Sequence, residues 1–221
     1  MNTLAMPPLS TLLQRLFTEA DETQSAFRAE RARLSAGDRA ARTGDTADYK
    51  TFYMTHAKGV HLAVSRETGT LLYMLARSMK ARSIVEFGTS FGISTLHLAA
   101  ALKDNGGGRV IGSEFEPSKV ARARANMAAA GLADLVDIRE GDAVETLARD
   151  LPDSIDLVLL DGAKTLYAHV LGLLAPRLRP GALIVADNAS MCPQYLEVVR
   201  APGSGYLSVP VEGDVDLTMK V

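Results

Sequence analysis

Residues 83–94, Ser-Ile-Val-Glu-Phe-Gly-Thr-Ser-Phe-Gly-Ile-Ser, set the strongest limit on what this chain can fold into. Ile84, Val85 and Phe87 are a short apolar run of strand formers, which Gly88 and Gly92 interrupt. Leu96, Leu98, Ala99 and Leu102 then recur at helical spacing. The pattern is strand, tight glycine turn, helix, the unit that offers a helix N-terminus to a small anion or nucleotide. Glu86, at the end of the strand, puts a carboxylate where a pyrophosphate would be repelled and a cationic or hydroxyl-rich ligand would not. The two glycines are spaced GxxxG rather than GxGxxG, so the dinucleotide fingerprint is missing.

The unit repeats. A second strand over 107–115 leads into an alanine-rich helix over 117–130, with Pro117 at its start and Gly131 past its end. A third strand over 135–140 precedes a helix over 143–149. The continuous apolar run 155–160 reads as a strand covered on both faces. A helix follows over 164–178, then a fifth buried strand over 182–186. Segments 206–211 and 215–221 alternate in polarity and read as an antiparallel hairpin. Upstream, 9–34 carries one or two amphipathic helices, 37–55 is a polar loop or short helix over the site, and a further helix runs from Gly69, with Met74 and Met79 filling the core. Parallel strands need crossovers. The expected fold is therefore α/β: a Rossmann-like, doubly wound, mostly parallel sheet with a C-terminal antiparallel hairpin and extra N-terminal helices. One domain over 1–221 is expected, with 1–60 a helical lid or dimerisation segment and 61–221 the core.

Composition removes several classes of function. A net charge of −2 lacks the basic excess that phosphate contacts require, so no nucleic-acid partner is expected. Arg31, Arg33, Arg39 and Arg42 are interleaved with Glu30, Asp38 and Asp45, which reads as a solvated face. Cys192 is the only cysteine, so an intramolecular disulfide and a cysteine zinc site are out. No apolar run reaches the ~18 residues that span a bilayer, and 1–10 has no leader pattern. The expectation is a cytoplasmic protein with no membrane partner.

Ligands on such sheets lie beyond the carboxyl ends of the strands. The residues there are Glu86, Glu114, Gly141-Asp142, Asp161 and Asp187-Asn188. Any one of these acids could be a helix cap or a turn residue; an acid at every strand end is a poor phosphate cradle. Glu114, closing the second strand, sits where a carboxylate holds both ribose hydroxyls. Asp161, Asp187 and Asn188 offer two carboxylates and an amide oxygen, a hard-oxygen set suited to Mg²⁺, Mn²⁺ or Ca²⁺. Lys164 falls at the start of a helix, where the dipole opposes a cation, a placement that suits a general base better than it suits stability. His56 and His61 fall in the expected lid, His97 and His169 on helices.

These residues and motifs carry a resemblance. Val-Glu-Phe-Gly-Thr-Ser-Phe-Gly-Ile-Ser (85–94), Arg-Glu-Gly-Asp-Ala (139–143), Leu-Asp-Gly-Ala-Lys (160–164) and Ala-Asp-Asn (186–188) resemble the class I S-adenosylmethionine methyltransferases. Within them, the chain is similar to the cation-dependent O-methyltransferases related to the catechol and caffeoyl-CoA enzymes, over about 62–221. The resemblance implies that Glu86, Gly88 and Ser94 line the methionine part of S-adenosyl-L-methionine and that Glu114 binds its ribose. It implies that Asp142 and Ala143 border the adenine, that Val64 covers the cofactor, and that Asp161 serves both cofactor and metal. Asp161, Asp187 and Asn188 match the Mg²⁺ ligands, and Lys164 matches the catalytic lysine. The implied activity is methylation of a hydroxyl on a small acceptor, commonly a vicinal diol on an aromatic ring, by a homodimer. The chain departs from the family at Gly162 and Ala163, which replace aromatic or acidic residues and imply a roomier or less polar entrance. It departs again at 206–210, which has no counterpart of the catechol enzyme's late glutamate. A metal-independent methyltransferase, an NAD-dependent dehydrogenase and a non-catalytic cofactor-binding module are the rival readings; Glu86 and the missing third glycine disfavour the dehydrogenase.

Overall fold

The computed structural model describes residues 2–34, 49–211 and 213–221. Its centre is a seven-stranded sheet in the order β3-β2-β1-β4-β5-β7-β6. The strands are β1 Ser83–Phe87, β2 Arg109–Glu114, β3 Val136–Glu140, β4 Ile155–Leu160, β5 Leu178–Asp187, β6 Tyr206–Val211 and β7 Val215–Lys220. The first five pair in parallel; β7 runs antiparallel to β5 and to β6. The expected α/β architecture, with its terminal hairpin, is the one observed.

The helices are α1 Leu9–Arg33, α2 Arg66–Ser78, α3 Ile93–Asp104, α4 Pro117–Ala129, α5 Ala143–Thr146, α6 Tyr167–Leu174 and α7 Pro193–Arg200. A turn of α-helix, Tyr49–Thr51, runs into a π-helical turn, Phe52–His56. Most of the expected segment 37–55 lies outside the described residues. The region 9–34 forms a single helix. Helix α2 starts earlier than Gly69 because the Ser65 side chain caps it, accepting from the Thr68 N–H. Gly69 then lies inside α2, where an added Cβ would come within 2.8 Å of the His97 imidazole. Met74 is 59% exposed, so it is not the core filler the sequence suggested; it sits on the outer face of α2.

The expected helix over 164–178 is broken into three: a 3-10 turn Lys164–Leu166, then α6, then a 3-10 turn Ala175–Arg177. Pro176 lacks the N–H an α-helix needs at that point. Strand β5 consequently begins at Leu178 rather than at 182, with a register shift against β4 between Ile155 and Leu157. Helix α7 was not anticipated. It opens on Pro193, buries Tyr195 and Val199, and ties the hairpin through Arg200 to the buried Asp216.

One hydrophobic cluster lies on each face of the sheet. The first half of α1 belongs to the first of these, with Leu9, Leu12, Leu13, Leu16 and Phe17 buried beside α3 residues such as Leu98 and Leu102. Among the described residues no helix is long and apolar enough to cross a membrane.

Candidate active site

The carboxyl ends of β1, β2, β4 and β5 open onto one cavity of about 990 Å³, closed on the far side by α1 and by the turns around Tyr49 and Tyr53. A cavity this size takes a nucleoside cofactor together with a small acceptor. Its floor depends on the β1 loop. Gly88 and Gly92 have φ of +97° and +87°. A Cβ on Gly88 would lie 2.4 Å from the Asp161 carbonyl oxygen, so the loop can touch the end of β4 only as glycine.

Glu86 is fully buried, and its carboxylate accepts from Thr89 Oγ1 at 2.9 Å, Ser94 Oγ at 2.7 Å and Thr95 Oγ1 at 2.5 Å. Burial pushes its pKa up against those three hydroxyls, which pull it down. Glu86 and Ser94 are buried just below the residues that line the cavity, and the three hydrogen bonds tie the end of β1 to the loop and to the start of α3.

Gly88, Glu114, Asp142 and Ala143 do line the cavity, and Val64 from the α2 entry faces them. Glu114 accepts from the Ser90 N–H at 2.9 Å and the Glu116 N–H at 3.0 Å, which aims it at the cavity floor. Asp142 caps α5 by accepting from the Val144 N–H and is paired with Lys50 at 2.5 Å. Burial alone would raise its pKa, but Lys50 and that N–H hold it below the usual range. Phe115 meets Tyr49 and Tyr53 edge-on at 6.2 and 6.1 Å, and Lys58 pairs with Glu116 at 3.3 Å. The segment 49–58 is thereby pinned across the Glu114–Asp142 side.

At the other end stand Asp161, Lys164, Asp187 and Asn188. Lys164 Nζ donates to Tyr167 Oη at 2.7 Å, to Asp161 Oδ1 at 3.3 Å and to the Asp187 carbonyl at 3.3 Å. Tyr167 Oη in turn donates to that carbonyl at 2.9 Å. The tyrosine's hydrogen is committed, so it offers Lys164 only lone pairs and fixes which way the amine points. Burial raises the pKa of both carboxylates above the ordinary range; Lys164 opposes this at Asp161, while the neighbouring Asp161 adds to it at Asp187. Asn188 takes the left-handed conformation at φ 54°, which asparagine tolerates, and its amide has no hydrogen-bond partner among the described residues.

Among the described residues no group of three or more His, Cys, Asp or Glu side chains is placed to hold a metal. The candidate set is two carboxylates and one amide oxygen, and it fits a hard divalent cation. Two buried carboxylates in contact resist ionising together, and a cation between them would relieve that.

The remaining expectations sort by burial. Gly162 does not open the entrance: the Phe87 ring would lie 2.4 Å from its Cβ and fills that space. Segment 206–210 lies on the sheet edge, off the cavity; α1 forms that wall instead, through Gln24, Phe27 and Arg31. His61 is buried and stacked on Phe91 at 4.1 Å, and His97 is buried under Gly69 and Phe17, whereas His56 and His169 are exposed. Sequence reading passed over Ser90, whose buried hydroxyl has no partner among the described residues, and Tyr167 and Lys119. Tyr167 was legible as one helical turn from Lys164. Lys119, a cation in the first turn of α4, breaks the same dipole rule that singled out Lys164.

A parallel sheet closed by an antiparallel β7, with a glycine loop after β1 and a carboxylate closing β2, defines a Rossmann-like nucleoside-binding fold. Residues 85–189 match the family described as Methyltransferase domain. Catechol O-methyltransferase of Niastella koreensis is 37% identical over 130 residues, 58% of this chain and 58% of its own. Catechol O-methyltransferase of Mycobacterium tuberculosis is 36% identical over 127 residues, 58% and 57% of the two chains. Among solved structures, the O-methyltransferase TomG of Streptomyces achromogenes, in complex with S-adenosylmethionine, superposes with a TM-score of 0.65 at 27% identity, covering 91% of this chain and 98% of that one. Over these stretches the chain is similar to O-methyltransferases that include the catechol and caffeoyl-CoA enzymes. It spans little more than half the length of the curated relatives it matches.

Proposed function

We propose that this chain transfers a methyl group from S-adenosyl-L-methionine to a hydroxyl of a small acceptor, of catechol or vicinal-diol type. The observation that carries the reading is the convergence of Asp161, Lys164 and Asp187 beside the Gly88 loop, in the cavity that Glu114 also lines. S-adenosylmethionine would supply the methyl group, with Glu114 accepting from its ribose and Val64, Gly88, Asp142 and Ala143 enclosing it. Asp161, Asp187 and Asn188 would hold Mg²⁺, Mn²⁺ or Ca²⁺. When bound, such a cation supplies the charge that acidifies an acceptor hydroxyl.

Lys164 acts as the general base. Tyr167 and the Asp187 carbonyl receive its N–H bonds, so the nitrogen faces the cavity when it takes the acceptor proton. Phe27 and Tyr53 in the cavity wall orient a flat acceptor and exclude water. The protein works as a cytoplasmic homodimer, with small molecules rather than nucleic acid or membrane as its partners.

Labelled S-adenosylmethionine with a panel of catechol-type acceptors tests this directly. Methyl transfer that EDTA abolishes and Mg²⁺ restores is the expected outcome, with Lys164→Ala lowering kcat by about 10²- to 10⁴-fold. Full activity in EDTA would establish the metal-independent reading, which the Lys164–Asp161 contact favours. A Lys164→Ala protein as active as wild type would remove lysine from the mechanism.

A further inference from the structure

Lys119 is a cation that the site described above leaves unused. It is the third residue of α4, where the helix dipole opposes positive charge, and it is only 2% exposed. Its side chain forms part of the cavity wall, and its ammonium lies 5.5 Å over the Phe91 ring. Glu114 and Glu116 are the acids whose fields reach it, but both are engaged elsewhere. Glu114 accepts from two backbone N–H groups, and Glu116 from Ser118 Oγ, the Lys119 N–H and Lys58. Among the described residues the Lys119 ammonium makes no hydrogen bond and no ion pair. Burial pulls its pKa below the ordinary lysine value, against the two glutamates. Such a group is costly to bury and is retained where something completes it.

We propose that Lys119 is a cofactor-binding residue that donates to the ribose oxygens of the nucleoside held by Glu114. The inference rests on the reading of the cavity as an S-adenosylmethionine site. A ribose hydroxyl has one hydrogen to give and lone pairs to fill. The Glu114 carboxylate acts as acceptor and takes the hydrogens; the Lys119 ammonium can only donate, so it fills the lone pairs. Together they read the diol as donor and acceptor at once, which neither does alone.

Calorimetric titration with S-adenosylhomocysteine and with its 2′,3′-dideoxy analogue tests the assignment. Lys119→Met keeps the volume and removes the charge. It is expected to bind S-adenosylhomocysteine about tenfold more weakly, the loss of one charge-assisted hydrogen bond. Its penalty for the missing ribose hydroxyls is expected to be smaller than that of wild type by the same factor, and its unliganded Tm not to fall. KM for S-adenosylmethionine rises while kcat holds. Equal affinities in Lys119→Met and wild type, or fully additive penalties, overturn the inference and leave the cofactor reading standing. Absence of binding to wild type brings down both. Should Lys119→Met fail to fold, Lys119→Gln, which keeps a weaker neutral donor, carries the same comparison with a smaller expected loss.

Discussion

At the residue scale the site is a set of groups held against their ordinary tendencies. Tyr167 is buried, and its pKa is pushed well above the tyrosine value by burial, with Asp161 adding to it. It therefore stays protonated and keeps donating to Asp187. Tyr167→Phe leaves that carbonyl without its tyrosine donor and Lys164 without its shortest acceptor. The expected result is a stability loss of about 1 kcal/mol and roughly a tenfold lower kcat, with S-adenosylhomocysteine affinity unchanged. His97 gives a prediction in pH. Burial lowers its pKa, while the bond from its ring to the Ile93 carbonyl works the other way. Below pH ~6.5 the unfolded chain takes up a proton that the folded chain refuses. Stability is thus fully present above that pH and falls as pH drops below it, by up to about 1.4 kcal/mol per unit from this ring. Thermal melts from pH 7.5 to 5 should show the fall, and His97→Asn should flatten it.

At the element scale the glycine loop between β1 and α3 is the piece on which the site turns. Gly88→Ala demands a left-handed alanine and 2.4 Å from the Asp161 carbonyl. It should cost about 1–3 kcal/mol and abolish S-adenosylhomocysteine binding, because the end of β4 moves with the loop. Melting and calorimetry on the same sample separate the two effects. A Gly88→Ala protein that still binds would show that the contact of loop and β4 is dispensable. The elements themselves were largely readable: Ile155–Leu160 as a doubly covered strand and Pro117–Ala129 between its proline and Gly131 both stand where their patterns put them. Helix α7 was not readable, since eight residues with two buried side chains leave little periodicity. The segment 164–178 was misread because its apolar spacing continues through Pro176, while the backbone does not.

At the scale of the whole molecule, α1 joins the core to the cavity. Its first half buries five large apolar side chains against the sheet layer, each worth roughly 1.5–3 kcal/mol. Their sum is comparable to the total stability of an ordinary domain, about 5–15 kcal/mol. Removal of residues 1–34 should therefore leave a chain without a cooperative unfolding transition in circular dichroism. A shortened protein that melts as sharply as the whole would show that α1 only covers the site. The second half of the same helix lines the acceptor side of the cavity through Gln24, Phe27 and Arg31.

The sequence by itself determined the parallel sheet, the glycine turn and the acids at the strand ends. Each is a local matter of period, of backbone freedom and of where a strand stops. Only the tertiary structure decided which acids face the cavity. Glu86 turns inward because three hydroxyls from the following loop and helix close around it, while Glu114 is aimed outward by two backbone N–H groups. It also decided that Phe87 fills the space beside Gly162 and that Lys119 is buried against the Phe91 ring. These depend on contacts between segments far apart in the chain, and no spacing within one segment encodes them.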